Sequence, residues 1–313
     1  VDIGGTKCAV ALGTRDGRIL ARKEMPTHAQ AGPGDVLERL TRLAGDLVRE
    51  RLASPSDLEG IGISCGGPLD TTTGIVYSPP NLPGWEGIPV RALFERAFPG
   101  VRVVLENDAN ATALAEWMWG AGRGARNVVY LTQGTGIGGG LILDGRLYRG
   151  ANDLAGEVGH QTILPDGPVC GCGKRGCLEA LASGPAIARA AQRRLSDGES
   201  SCLLPPAGVP VEHLTGRHVV EAARAGDALA RSVLAEAGMY MGVGLANIIQ
   251  ILNPERIILG TIAVHAGDLI LEPIRNSVAE RAWARAVAVC TIGPAELGDR
   301  AQDLAAIALI ASA

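Results

Sequence analysis

His160, Cys170, Cys172 and Cys177 stand in an H-x9-C-x-C-x4-C pattern. Imidazole nitrogen and thiolate sulfur are ligands that Zn²⁺ favours, and four of them close a tetrahedral site with no position left for an activated water. The pattern therefore predicts a structural Zn²⁺ rather than a catalytic one, with Gly171, Gly173 and Gly176 letting a short backbone fold round the ion. Gly156-Glu157-Val158-Gly159-His160 runs into this loop and Leu178-Glu179 follows it, so closure about the ion draws Glu157 and Glu179 towards one place. Two carboxylates so placed suit hydrogen bonds to vicinal hydroxyls, or they mark a solvated helix surface.

Two glycine-rich segments could bind phosphate. Asp2-Ile3-Gly4-Gly5-Thr6-Lys7 offers a carboxylate able to hold Mg²⁺, a hydroxyl and an ammonium beside bare backbone. Residues 134–139 match GxGxxG, but a dinucleotide site needs a helix to open there, whereas Leu141-Ile142-Leu143 followed by Asp144-Gly145 reads as strand and turn. No GxxxxGK[ST] occurs, which excludes a P-loop. What remains is a hairpin turn whose N–H groups can wrap phosphate oxygens, with hydroxyls from Thr132 and Thr135, glycines at 134 and 136, and Gly136 expected at positive φ. Either segment alone is also a plain turn; facing each other they make a phosphate clamp. A third group lies at Glu106-Asn107-Asp108, where a strand gives way to a helix. Asp108 is there either an N-cap or a general base kept ionised by the helix dipole.

These groups need strands that end, and helices that begin, beside them. Residues 2–12 and 128–143 each set a glycine turn between apolar runs, and Asp-Gly-Arg turns follow at 16–18 and 144–146. Two related halves facing a common cleft are expected, unless the small vocabulary of hairpin turns has produced the likeness. Apolar periodicity gives helices over 36–52, 90–97, 109–119, 184–196, 217–252 and 267–285, strands over 60–64, 101–105, 256–259 and 287–292, and a terminal helix over 304–313. That alternation means an α/β fold. The Pro/Gly-rich stretch 78–85 is expected as a surface loop and 196–210 as a flexible one.

A chain of 313 residues is long enough for two domains. It is 47% hydrophobic without an uninterrupted apolar run of about 18 residues, which predicts a globular protein and no bilayer span. A net charge of −4 with no Lys/Arg block, and only 3% aromatics, offer nucleic acid no footprint. The cysteines are odd in number, seven, with three crowded into 170–177, which is metal spacing in a reducing compartment rather than a disulfide framework. No export signal precedes the first apolar strand, so a cytoplasmic location is expected.

Together DIGGTK at 2–7, END at 106–108, TQGTGIGGGL at 132–141, GEVGH at 156–160 and CGCGKRGCLE at 170–179 resemble the ROK family (repressors, open reading frames and kinases) of the sugar kinase/actin/heat-shock-70 superfamily, over nearly the whole chain. The resemblance implies a two-lobed actin-like, RNase H-like ATPase fold with an interdomain cleft. A small α/β lobe of 1–107 would be completed by the terminal helix 300–313, and a large lobe would span 108–299. It also implies that Asn107, Asp108, Glu157, His160 and Glu179 hold the hydroxyls of a hexose, that Gly66 and Gly67 line the pocket, and that Asp108 is the catalytic base. The glycine loops, through Asp2, Gly4, Gly5, Thr6 and Lys7 and through Thr132, Gly134, Thr135 and Gly136, would carry the phosphates of ATP, and Gly260 would approach the adenosine. The sequence departs from the family pattern where Thr261 follows Gly260 in place of a second glycine, and where Cys65-Gly66-Gly67-Pro68 replaces GxPGP. The implied activity is Mg²⁺- and ATP-dependent phosphorylation of a hexose 6-hydroxyl, glucose foremost because GEVGH and CLE are both complete. N-acetylmannosamine or N-acetylglucosamine is the alternative substrate, and a non-catalytic sugar-sensing regulator the alternative class. Family repressors carry a helix-turn-helix domain ahead of DxGGTK, for which a motif at residue 2 leaves no room. Hexose and ATP are thus the expected partners, without nucleic acid or membrane, in a homodimer or homotetramer.

Overall fold

The apolar runs on either side of the first glycine turn pair antiparallel as β1 (Asp2–Ile3) and β2 (Lys7–Gly13), and a second turn brings in β3 (Ile19–Pro26). Helix α1 (Gly32–Arg51) leads to β4 (Gly60–Cys65), a small hairpin of β5 (Leu69–Asp70) and β6 (Ile75–Val76), α2 (Val90–Ala97) and β7 (Arg102–Asn107). Helix α3 (Asp108–Trp119) then opens the second half, whose strands are β8 (Val128–Gln133), β9 (Ile137–Leu143) and β10 (Arg146–Tyr148). There follow α4 (Leu178–Ala182), α5 (Gly184–Ser196), α6 (Gly216–Arg224), α7 (Ala228–Leu252), β11 (Arg256–Leu259), α8 (Ile262–Ala266), α9 (Asp268–Arg281), α10 (Ala284–Val287), β12 (Thr291–Pro294) and α11 (Ala301–Ala311). This computed structural model describes residues 1–52, 54, 57–203 and 210–312. Residues 204–209 of the loop expected over 196–210, and Ala313 of the terminal helix, lie outside the described residues.

The two sheets run β3-β2-β1-β4-β7 and β10-β9-β8-β11-β12. Numbered within its own half, each has the order 3-2-1-4-5, with the first three strands antiparallel and the last two added in parallel. The likeness of the two hairpins is therefore a likeness of topology, not of turn vocabulary alone.

Burial follows the period-2 pattern of strands covered on both faces. In β8, Val129 and Leu131 join the core made with α5, α6, α7 and α9, while Val128 and Tyr130 point to the opposite face and pack with α3 and α11. The first sheet has its own core with α1 and α2, including the fully buried Leu40 and Phe94. Helix α11 lies on the first sheet and α3 on the second, and the two helices pack on each other between them. Gly62 of β4 makes the approach of α11 possible, since a Cβ there would sit 1.9 Å from the Ala306 carbonyl oxygen.

Three expectations need correction. The helix expected over 217–252 is two, because Gly226 (φ 102) breaks the first and the Asp227 carboxylate caps α7 by accepting from Ala230 N at 2.8 Å. The 267–285 helix ends at Arg281 and a short α10 follows, so that the strand expected over 287–292 begins only at Thr291, as β12. The stretch 78–85 is irregular but not a surface loop throughout, since Leu82 and Trp85 are buried in the first core. Helix α7 has the length and hydropathy of a membrane span, yet 61% of its most apolar window is buried inside the protein, where it serves as core.

Candidate active site

Strand β7 releases the chain at Asn107, still extended, and its side chain caps α3: Oδ1 accepts from Ala109 N at 2.9 Å and from Asn110 N at 3.4 Å. The cap is Asn107, so Asp108 is free of that duty; as the first helical residue it accepts from Ala109 N at 2.8 Å. Its carboxylate is open to a cleft yet crowded by protein on several sides. That loss of water raises its pKa, against the pull of the Ala109 amide, so the direction is opposite to the one a helix dipole alone would give.

Asp2, at the end of the first half's central strand, is buried, and its carboxyl is pushed up to about 6 by that burial, with repulsion from Asp108 and Asp303 adding to it. Asp303 on α11 is itself paired with Arg22 Nε at 2.8 Å. A cavity of about 960 Å³ is lined by Asp2, Gly4 and Lys7 from the first half and by Asp108, Thr132 and Gly260 from the second. Oxygen donors from two carboxylates that repel each other are the set a hard cation such as Mg²⁺ takes, so these residues fit that ion.

A second cavity, of about 860 Å³, lies between α5, α6 and α8 and is lined by Gly134, Thr135, Gly184, Arg217 and Ile262 among others. Thr261 and His265 line both cavities. Thr261 is held at φ 50, an unusual backbone for a β-branched residue, with its Oγ1 3.3 Å from Thr132 Oγ1. None of Gly4, Gly5, Gly134 and Gly136 has positive φ, contrary to the expectation for Gly136. The absence of a side chain at Gly136 leaves room for Glu179: a Cβ there would meet Glu179 Oε2 at 2.5 Å and push that carboxylate aside.

The four expected metal ligands converge, with ligand atoms all within 4.8 Å of one another. Thiolates about 2.3 Å from a tetrahedral Zn²⁺ stand about 3.8 Å apart. Cys172 Sγ and Cys177 Sγ are 3.7 Å apart, and Cys170 Sγ is 3.7 Å from His160 Nδ1, so the donor set fits zinc. Burial pushes the Cys170 thiol up to about 12 and raises Cys177, whereas the Lys174 amide lowers Cys172. The imidazole faces two ways: Nδ1 joins the sulfurs while Nε2 lies 3.7 Å from Glu157 Oε2, which ties the metal loop to an exposed carboxylate. Glu179 does the same on the other side. Its Oε2 accepts from Ile137 N at 2.9 Å and its Oε1 lies 3.6 Å from Cys170 Sγ, so the residue joins the metal loop to the second glycine turn. Gly67 abuts the END turn, since a Cβ on it would lie 3.1 Å from Asn107 Nδ2, and Gly66 has open space round it.

A model of the ROK family matches residues 1–313. The chain belongs to the ROK family. This ROK protein is 39% identical over 284 residues to a glucokinase of Halalkalibacterium halodurans, covering 88% of the chain and 83% of that enzyme. It is 32% identical over 316 residues to a xylose repressor of Caldicellulosiruptor bescii, covering the whole chain and 77% of the repressor. The structure of a ROK family glucokinase from Streptomyces griseus in complex with glucose and AMPPNP matches it with a TM-score of 0.81 at 33% identity, covering 98% of this chain and 96% of that one. The paired 3-2-1-4-5 sheets are thus the two-domain actin-like ATPase fold of ROK sugar kinases.

In this ROK protein Asp2, Gly4, Lys7, Asp108, Thr132 and Gly260 meet in one cavity, Gly134 and Thr135 belong to the other, and Glu157, His160 and Glu179 gather at the cysteine loop. Gly5 and Thr6 stay in the first turn outside the lining of either cavity. Sequence reasoning marked Thr261 only as a departure from the family pattern, and it missed His265 at the junction of the cavities and Asp303, which a helix from the far end of the chain brings beside Asp2. The Gly-Thr step after β11 was a usable signal for the junction; nothing local announced Asp303.

Proposed function

We propose that this ROK protein transfers the γ-phosphoryl group of Mg·ATP to the 6-hydroxyl of a hexose, with glucose preferred. One observation carries the reading: a single cavity is lined by Asp2 and Lys7 from the first half and by Asp108 and Thr132 from the second, which supports a proton acceptor working beside phosphate-binding groups from both halves of the chain. Similarity to a glucokinase, and to a glucokinase structure in complex with glucose and AMPPNP, supports the choice of sugar and donor.

In this reading the nucleoside occupies the cavity between α5, α6 and α8, and the phosphate chain passes Thr261 and His265 towards Thr132. Mg²⁺ accompanying ATP supplies charge neutralisation on the phosphoryl oxygens. Asp2 would hold the cation, and the backbone of the Gly4-Gly5-Thr6-Lys7 and Gly134-Thr135-Gly136 turns would orient the phosphates. Asn107, Glu157, His160 and Glu179 orient the sugar beside Gly66 and Gly67. Asp108, poised by its raised pKa, accepts the hydroxyl proton as the new P–O bond forms and the bond to the β-phosphate oxygen breaks. A lobe of 1–107 with 300–313 closes on one of 108–299, which excludes water. His160, Cys170, Cys172 and Cys177 would hold a structural zinc, which would steady Glu157 and Glu179 on the sugar side. The enzyme would work in the cytoplasm, as a homodimer or homotetramer.

The similarity to a xylose repressor favours a second reading, a sugar sensor without transferase activity. A coupled assay at fixed Mg·ATP against glucose, mannose, N-acetylglucosamine, N-acetylmannosamine and xylose tests both. Turnover highest with glucose is the expected result; highest turnover with an N-acetylhexosamine would move the substrate. Calorimetric sugar binding with no ADP formed would replace the kinase by the sensor.

A further inference from the structure

Glu106 is fully buried, and three groups meet its carboxylate. Oε1 accepts from the backbone N of Asn107 at 2.9 Å and from Asn110 Nδ2 at 3.0 Å, while Oε2 accepts from Arg149 Nε at 2.6 Å. The first two bonds lie within the turn that presents Asn107 and Asp108. The third crosses from β7 of the first sheet to the residue just beyond β10 of the second. Arg149 begins a strap that ends at Glu157, and its carbonyl accepts from Ala155 N at 3.0 Å. The strap is gripped again at Asp153, held at φ 62, whose carboxylate accepts from Thr71 N at 2.8 Å and from Thr71 Oγ1 at 3.0 Å, Thr71 lying just after β5 of the first half.

We propose that Glu106 and Arg149 are a positioning pair for phosphoryl transfer, which registers the Asn107–Asp108 turn against the strap carrying Glu157. The inference rests on the kinase reading above and adds to it two residues that touch neither substrate nor phosphate. Two features separate this from simple stabilisation. Glu106 is fully buried while the Arg149 side chain is 38% exposed, and a desolvated carboxylate held by such a pair is often no better for stability than an apolar residue of the same shape. Holding Asn110 Nδ2 on Glu106 also leaves the buried Asn110 Oδ1 without a protein donor, which costs stability and so offsets what the Asn110–Glu106 bond contributes. Because one carboxylate bonds both the base-bearing turn and the strap, losing either partner should let the two segments drift together, and drift of about 1 Å between reacting groups costs up to about 10²-fold.

The test uses the full-length protein with Glu106→Gln, Arg149→Met, Arg149→Lys and the Glu106→Gln/Arg149→Met double variant. Gln keeps an acceptor for Asn107 N but turns a donor towards Arg149. Each disruptive single variant should raise the sugar KM and lower kcat, each about tenfold or more, with the ATP KM within about twofold of wild type. Arg149→Lys should recover part of the loss. The double variant should be no worse than the poorer single one, because the two residues act as one unit. Activity that falls only with the folded fraction, at unchanged sugar KM, would overturn the proposal, and so would losses that multiply in the double variant. Should wild-type protein phosphorylate no sugar, the kinase reading fails, and hydrogen exchange still decides the pair. Faster exchange in both 107–110 and 149–157 on Arg149→Met supports it, and faster exchange in 149–157 alone sinks it.

Discussion

Asp108→Asn removes a charge and a proton acceptor while keeping the size of the side chain. Because Asn107 provides the cap of α3, both capping bonds survive the change, and an Asn Oδ1 can still accept from Ala109 N. The substitution also removes one of the charges that hold Asp2 up at about 6, so Asp2 should titrate lower and the thermal midpoint should hold or rise. General-base catalysis contributes about 10² to 10⁴, which corresponds to roughly 2.7–5.4 kcal/mol of barrier. The sugar hydrogen bond is weakened rather than lost, an effect near 1 kcal/mol, so sugar Kd should change by less than about tenfold. We therefore expect kcat to fall by about 10² or more with Kd and midpoint nearly unchanged, measured by turnover, calorimetry and thermal denaturation on one preparation. Near-normal turnover would remove Asp108 from the chemistry. A Kd change as large as the kcat change would make it a binding residue, and a fallen midpoint would show that the helix start depends on it after all.

Gly136→Ala should raise the sugar KM several-fold and weaken ATP binding less, because its Cβ would displace Glu179 from Ile137 N; calorimetry with each ligand checks this, and ATP binding weakened more than sugar binding would contradict it. Asp2 is protonated below about 6, so Mg²⁺ must displace a proton there: its apparent affinity should fall about tenfold per pH unit below that value and level off above it, and a flat profile down to pH 5 would take Asp2 out of the metal site. Elemental analysis should find one zinc per chain, and Cys172→Ser should lose it and weaken sugar binding before nucleotide binding; wild-type sugar affinity in a metal-free variant would break the link that His160 makes to Glu157.

What local chemistry decides was readable from the residues. Helices α2 and α5 and strand β11 fall at the expected limits, and the spacing of the metal ligands foretold their convergence. What depends on which neighbour arrives was not. Asn107 and Asp108 both cap helices well, and only the point at which β7 stops being extended decides between them. Gly136 could have been needed for its φ or for its missing side chain, and the second reason becomes visible only when Glu179 arrives from 43 residues away. The break between α6 and α7 was in fact written in the chain, as Gly226 followed by a capping Asp227, but the apolar period continues on both sides and masks it.

The glycine-rich run continues past the second turn into β9. Gly138, Gly139 and Gly140 lie inside β9, where neither a turn nor a left-handed residue is required. Their faces alternate. A Cβ on Gly140 would meet Ala113 Cβ at 2.5 Å and the Ala109 carbonyl oxygen at 2.8 Å, so this face receives α3, the helix that begins at Asp108. A Cβ on Gly139 would meet the Gly156 carbonyl oxygen at 2.8 Å and Val158 Cγ2 at 2.9 Å, so the other face receives the strap that carries Glu157. Gly156, at φ 94, returns the contact, with its own missing Cβ 2.4 Å from the Gly139 carbonyl oxygen. The bare faces of Gly139 and Gly140 thus set how deeply the helix that begins at Asp108 and the strap that carries Glu157 can sit, and a side chain added at Gly140 would move the first and one at Gly139 the second, whereas a Cβ on Gly138 would make only ordinary contacts of 3.4 Å with Ala109 and Thr132.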